Sequence, residues 1–148
     1  MAYKKILVGT DGSKTAEAAI RHAARLAKSM GADLQLVSAY SAPDPQQVSR
    51  WVQEAGQEFV GLITGTSAAE SAVERGQIAA KEEGVDANVR FVEGDAGEVL
   101  ISTAESDGID LLIVGNKGMT GAKRFLLGSV PHKVSHHAPC DVLIVHTT

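Results

Sequence analysis

Lys5-Ile6-Leu7-Val8-Gly9-Thr10-Asp11-Gly12-Ser13 is the stretch that decides the fold class of this 148-residue chain. Its short apolar run stops at turn residues and reads as a buried strand. The residues that follow place Ala16, Ala19, Ile20, Ala23, Ala24, Ala27 and Met30 at helical spacing up to Gly31. The unit is strand, loop, helix, and working outward it recurs. Strands are expected at 33–40, 87–92, 110–115 and 141–146. Helices are expected at 68–83, at 96–106 with Asp95 as its cap, and around Val134, opening near Ser129-Val130-Pro131. Residues 41–67, with Trp51, Phe59 and Ile63, read as a loop holding a short amphipathic helix and packed as a flap. Strands that are apolar on both sides and alternate with helices predict an α/β fold, a parallel sheet covered on both faces. Length and the lack of a linker or repeat predict one domain, residues 1–148. Ligands of such sheets sit beyond the carboxyl ends of the strands, where the strand order switches, which points to 9–13, 38–41, 94–97 and the residues from Gly115 onward.

Composition narrows the class of function. The longest strongly apolar runs are only 111–114 and 142–145. A membrane span needs about 18 such residues, so no membrane partner is expected. The apolar stretch at Ile6-Leu7-Val8 ends at Gly9, too short for a signal-peptide core, and the single cysteine, Cys140, rules out an internal disulfide framework. A cytoplasmic location is the expectation. Net charge is −4, which argues against nucleic acid as a partner. Between Asp110 and Asp141, however, there is no acidic residue, while Lys117, Lys123, Arg124 and Lys133 stand there, leaving −8 on the rest of the chain. A local basic stretch in an acidic protein suggests a specific anionic ligand, although a solvated basic face explains the charge alone equally well.

That stretch opens with Gly115-Asn116-Lys117-Gly118-Met119-Thr120-Gly121 and closes with Leu127-Gly128-Ser129. Glycines let a backbone approach phosphates closely, and a helix start presents free amides to an anion. Ser129 is expected as the N-cap of the next helix, with Pro131 in its first turn, where no amide hydrogen is required. Other nucleotide fingerprints fail. A Walker loop needs lysine directly after its second glycine, where this chain has Ser13 after Gly12, and Gly9-Thr10-Asp11-Gly12 does not supply Gly-x-Gly-x-x-Gly.

The spacing Gly115-x2-Gly118-x9-Gly128-Ser129, taken with Ile6-Leu7-Val8-Gly9-Thr10-Asp11-Gly12-Ser13 and with Ala138-Pro139-Cys140-Asp141-Val142-Leu143-Ile144-Val145, resembles the universal stress protein family over essentially the whole chain. The resemblance implies a five-stranded, doubly wound parallel sheet of order 3-2-1-4-5, a homodimer paired through its last strand, and, from the glycine motif, membership of the ATP-binding branch. It assigns Thr10 and Asp11 to the ribose or a metal and Ala39 to adenine. Val114, Gly115, Lys117, Gly118, Gly128, Ser129 and Val130 fall to the phosphates and their loop. The implied ligand is ATP with a divalent ion such as Mg on Asp11; AMP and cyclic AMP are the alternatives. Two positions depart from the pattern: Pro131 stands where a small hydroxyl residue is frequent, and Asp141 where proline is frequent. On residues alone, a turn or capping residue is the preferred reading of Asp11, and the resemblance reverses it.

The expected function is an adenine-nucleotide sensor or reservoir in the stress response, with slow turnover or none, since no nucleophile and base stand together in the loops. A cyclic-AMP-binding protein using the same pocket, and an interaction module built on the flap, are the competing readings. His132 and His136 lie one helical turn apart, a spacing that permits a metal, but no acidic ligand lies beside them in sequence and an incidental surface pair is the plainer reading. Cys140 reads as a small buried apolar residue.

Overall fold

The computed structural model describes residues 2–41, 45–55, 65–116 and 127–147. Among them the chain runs β1 (Lys5–Gly9), α1 (Lys14–Met30), β2 (Asp33–Tyr40), α2 (Pro45–Ala55), α3 (Gly65–Glu82), β3 (Asn88–Glu93), α4 (Ala96–Ser106), β4 (Leu111–Gly115), α5 (Ser129–His137) and β5 (Asp141–Val145). The strands form one parallel sheet of order β3-β2-β1-β4-β5. This is the expected topology, with helices on both faces, and β1 and β2 have the predicted limits. The helix of the flap region is α2, which starts on Pro45, a residue suited to the first helical position. The following helix begins at Gly65, three residues earlier than its apolar periodicity suggests. The rest of the expected flap lies outside the described residues.

Side-chain alternation along the central strands divides the core in two. Ile6 and Val8 of β1, Leu34 and Leu36 of β2 and Leu111 and Ile113 of β4 face α1 and α3. Leu7, Val37, Leu112 and Val114 face α4 and α5. Ile6, Leu7, Val8 and Leu112 have no exposed surface at all. Burying each contributes on the order of 1.5–3 kcal/mol, which is why β1 and β4 are apolar on both sides, while β2, also inside the sheet, carries Gln35 and the buried Ser38. Helix α1 meets the sheet through small residues, Ala16, Ala19, Ala23, Ala24 and Ala27 with Ile20, allowing close approach. It ends at Gly31, whose φ of 66° closes the helix in a left-handed turn.

Helix α4 is set by its cap. Asp95 accepts the Glu98 amide at 3.1 Å and also holds Lys133 Nζ of α5 at 3.1 Å, so one carboxylate starts α4 and ties it to α5. The Glu98 amide, and secondarily the Lys133 ammonium, keep the Asp95 carboxyl below the usual carboxylate range. A depressed carboxyl stabilises the fold above its unfolded-state value and loses that contribution as pH falls through the folded value. Asp95→Ala is therefore expected to cost about 1 kcal/mol near neutrality in urea unfolding. The gap to wild type should close in acid, below about pH 4. Asp95→Asn, which can still cap, should lose the pH dependence while keeping most of the stability.

Candidate functional site

At the carboxyl end of β1 the chain turns sharply into α1, and each side chain of the turn is used. Thr10 is buried; its amide donates to the Val37 carbonyl at 3.0 Å and its Oγ1 accepts the Gly12 amide at 3.1 Å. Asp11 Oδ1 accepts the Ser13 amide at 2.9 Å, and Ser13 Oγ caps α1 by accepting the Ala16 amide at 3.1 Å. Gly12 has φ of 81°, which the turn requires and glycine adopts without strain, and a Cβ there would also crowd Ala72 Cβ of α3 at 3.2 Å. Asp11 thus fills the turn role that its residue type allows while remaining exposed.

The carboxyl end of β4 is anchored through Asn116. Its amide donates to the Val145 carbonyl at 2.9 Å, and its own carbonyl accepts the Gly128 amide at 3.0 Å. Its Oδ1 accepts both the Thr147 amide at 2.9 Å and the Thr147 hydroxyl at 2.8 Å. The two ends of the glycine-rich segment are thereby pinned together at the end of β5. On the far side, α5 corrects one expectation. Its N-cap is Gly128, whose carbonyl accepts the His132 amide at 3.1 Å, and Ser129 is the first helical residue. Glycine brings no capping side chain, so the first-turn amides face outward uncovered by a cap, and the Ser129 hydroxyl is not spent on the helix. Pro131 is buried in that first turn.

Between these two strand ends lies a cavity of about 290 Å³. Val37, Val99, Leu100 and Val114 form apolar walls; Thr10, Asp11 and Ser129 add polar groups. The structure brings eight of the expected site residues to its lining: Thr10, Asp11, Ala39, Val114, Gly115, Gly128, Ser129 and Val130. Lys117 and Gly118, like Lys123 and Arg124, lie outside the described residues. Sequence reading did not assign Val99 and Leu100 to the site, because their helical spacing reads as core; they belong to the core and wall the cavity as well. Nor did it assign Asn116, whose signal was a turn-forming residue directly after a strand.

Of the four cations in the basic stretch, Lys133 is the one among the described residues. It is paired with Asp95 at 3.1 Å and Glu98 at 3.3 Å, and these contacts hold its ammonium above the usual lysine value. Asp11 is the single ionisable side chain lining the cavity among the described residues. Among those residues no group of three His, Cys, Asp or Glu side chains is placed to hold a metal, so an ion on Asp11 would draw its other ligands from phosphate oxygens and water, as Mg²⁺ commonly does. No described helix is long and apolar enough to cross a membrane.

An open parallel sheet with a cavity at its switch point, where sheets of this kind hold ligands, defines the class as a doubly wound α/β protein. Comparison with known proteins supplies the family: the model of the universal stress protein family matches residues 2–146, and the chain belongs to that family. Universal stress protein Rv1636 of Mycobacterium tuberculosis is 38% identical over 152 residues, covering 99% of both chains. A universal stress protein whose crystal structure was determined in complex with cAMP is 32% identical, covers 100% of both chains and superposes with a TM-score of 0.73. The universal stress protein UspA from Lactobacillus plantarum superposes with a TM-score of 0.79 over 99% of both chains; at 22% identity it speaks for the fold.

The Asn116 anchor generates a prediction. Asn116→Ala leaves the two Thr147 donors without their acceptor and should lower stability by about 1–3 kcal/mol. Asn116→Asp retains the acceptor and should lose less; urea unfolding of both variants provides the measurement.

Proposed function

We propose that this chain is an adenine-nucleotide-binding protein of the stress response, with the cavity between the ends of β1 and β4 as its site. The observation that carries the reading is the clustering there of residues from distant parts of the sequence that the glycine-motif resemblance assigns to a nucleotide. The relative in complex with cAMP, 32% identical over the whole chain, supports an adenine-nucleotide ligand. The cavity is at the small end of the range for ligand sites, roughly 300–1,000 Å³, which suits a nucleoside held between apolar walls with its phosphates toward the rim. Val37, Val99, Leu100 and Ala39 supply apolar contact for the base, and Asp11 stands at the turn to meet the ribose or a cation. The uncapped start of α5, with the Ser129 hydroxyl, faces the phosphates, and Lys117 and Gly118 of the glycine motif complete the set.

ATP is the proposed ligand, with Mg²⁺ supplying charge neutralisation between its phosphates; AMP and cyclic AMP share the base and ribose contacts. Among the described residues Asp11 is the one ionisable lining group, which favours retention over hydrolysis, because positioning without a paired nucleophile and base gives slow turnover at most. A cytoplasmic sensor or reservoir fits this chemistry. We further propose that two copies pair through β5, a half-buried, apolar edge strand.

Calorimetric titration with ATP–Mg²⁺ and with cyclic AMP tests the ligand. Gly128→Val should abolish binding of both while the circular dichroism spectrum is kept. Lys117→Ala should weaken ATP more than cyclic AMP, since one charge-assisted phosphate contact contributes about 1.5–3 kcal/mol. Cyclic AMP binding tenfold tighter than ATP in the wild type would make the protein a cyclic-nucleotide binder. For assembly, light scattering at micromolar concentration should give a dimer for the wild type and a monomer or a destabilised chain for Leu143→Pro, which removes a ladder donor; a monomeric wild type would end the dimer proposal.

A further inference from the structure

Helix α5 carries His132 and His136 on one exposed side, four residues apart. Side chains at this spacing are neighbours on a helix, and a histidine pair so placed is a familiar chelating arrangement for zinc. What the structure adds is the separation of the rings, whose centroids are 4.7 Å apart with the planes at 60°. Imidazole nitrogens bind such ions at about 2.0–2.1 Å, and the ring centre lies about 1.1 Å behind the nitrogen. Two imidazoles at an angle of about 90–110° on one ion therefore have centroids about 4.4–5.2 Å apart. The observed pair falls inside that window. His136 and His137, at 6.2 Å, fall outside it.

We infer that His132 and His136 form a two-histidine site for a borderline divalent transition cation of the Zn²⁺, Ni²⁺ or Cu²⁺ type. Among the described residues no third His, Cys, Asp or Glu completes a cage, so the ion keeps water in its other positions and the site is open. Imidazole as the only protein ligand selects these ions over Mg²⁺, which prefers oxygen. His136 stands in the last turn of α5, where the carbonyl end of the helix carries partial negative charge that suits a cation, while His132 closes the first turn. The nearest lysine on the helix, Lys133, is bound to Asp95 and Glu98 of α4. The ion would bridge consecutive turns of the helix whose first turn, Ser129 and Val130, lines the cavity. This site is separate from Asp11 and does not depend on a bound nucleotide.

The test is calorimetric titration of the full chain, without nucleotide, with NiCl2 and with ZnCl2, and with MgCl2 as the contrasting ion. One Ni²⁺ or Zn²⁺ per chain is expected, with no Mg²⁺ bound at this site. His132→Ala and His136→Ala should each weaken binding at least tenfold. His137→Ala and Cys140→Ser should stay within twofold, and Asp11→Asn should leave it unchanged. Both histidines of the pair are exposed, and far-UV circular dichroism confirms that the variants fold. Absence of Ni²⁺ and Zn²⁺ binding up to millimolar concentration would reduce the pair to an aromatic contact and overturn the inference. Binding that survives both His→Ala changes, or that disappears in Cys140→Ser, would also overturn it.

Discussion

Right-handed crossovers are the constraint on which the site depends. The chain travels from β1 to β2 to β3 in one direction across the sheet, then returns past β1 to lay down β4 and β5 on the other side. A parallel crossover keeps its hand, so reversing the direction of travel sends the helices to the opposite face. Accordingly α1 and α3 pack on one face, and α4 and α5 on the other. The chain leaving β1 and the chain leaving β4 therefore diverge, although their strands are paired from Ile6↔Leu111 to Val8↔Ile113. The cavity occupies the space that this divergence opens.

The fold was legible because the central pair β1 and β4 must be apolar on both sides, and few other structures write Ile-Leu-Val and Leu-Leu-Ile-Val between turn residues. Element limits were less secure where propensity is weak. Helix α3 starts at Gly65, a poor helix former, and its onset cannot be read from periodicity because Thr66 and Ser67 carry no apolar pattern. At α5 the serine looks like the better cap by residue preference, yet the backbone uses Gly128. The Asn116–Gly128 hydrogen bond fixes where the chain re-enters, and that long-range contact overrides a preference of a kcal/mol or less. Much of the site was legible through the strand ends. Val99 and Leu100 were not, since a wall and a core position are spelled with the same residues.

Charge pairing outside the site organises helices more than it stabilises them. Arg21 of α1 reaches Glu17 of its own helix and Glu82 and Glu83 at the end of α3, and Arg25 joins Glu83. Exposed pairs of this kind contribute little individually, so their effect lies in fixing how α3 lies along α1. The Asp95–Lys133–Glu98 group does the same for α4 and α5. It also pairs Lys133, one cation of the basic segment, with two carboxylates.

The cavity itself is written in small residues. On the same face of the sheet the core uses Leu7 and Leu112, which are fully buried. At the strand and helix ends the side chains shrink to Gly9, Ala16, Ala39, Ala96, Gly115 and Gly128. The fit is close: a Cβ on Gly9 would stand 2.9 Å from Leu100 Cδ1. Close packing leaves voids costly, so an apolar hollow of this size on an otherwise well-filled sheet is a place where a ligand contributes contacts that the chain's own side chains do not. Apolar walls of this kind accept any flat ring with little discrimination. Selectivity toward the proposed nucleotide would then come from polar groups at the rim, among the described residues Asp11, Ser129 and the amides that open α5, and so from the two turns whose geometry Gly12 and Asn116 hold.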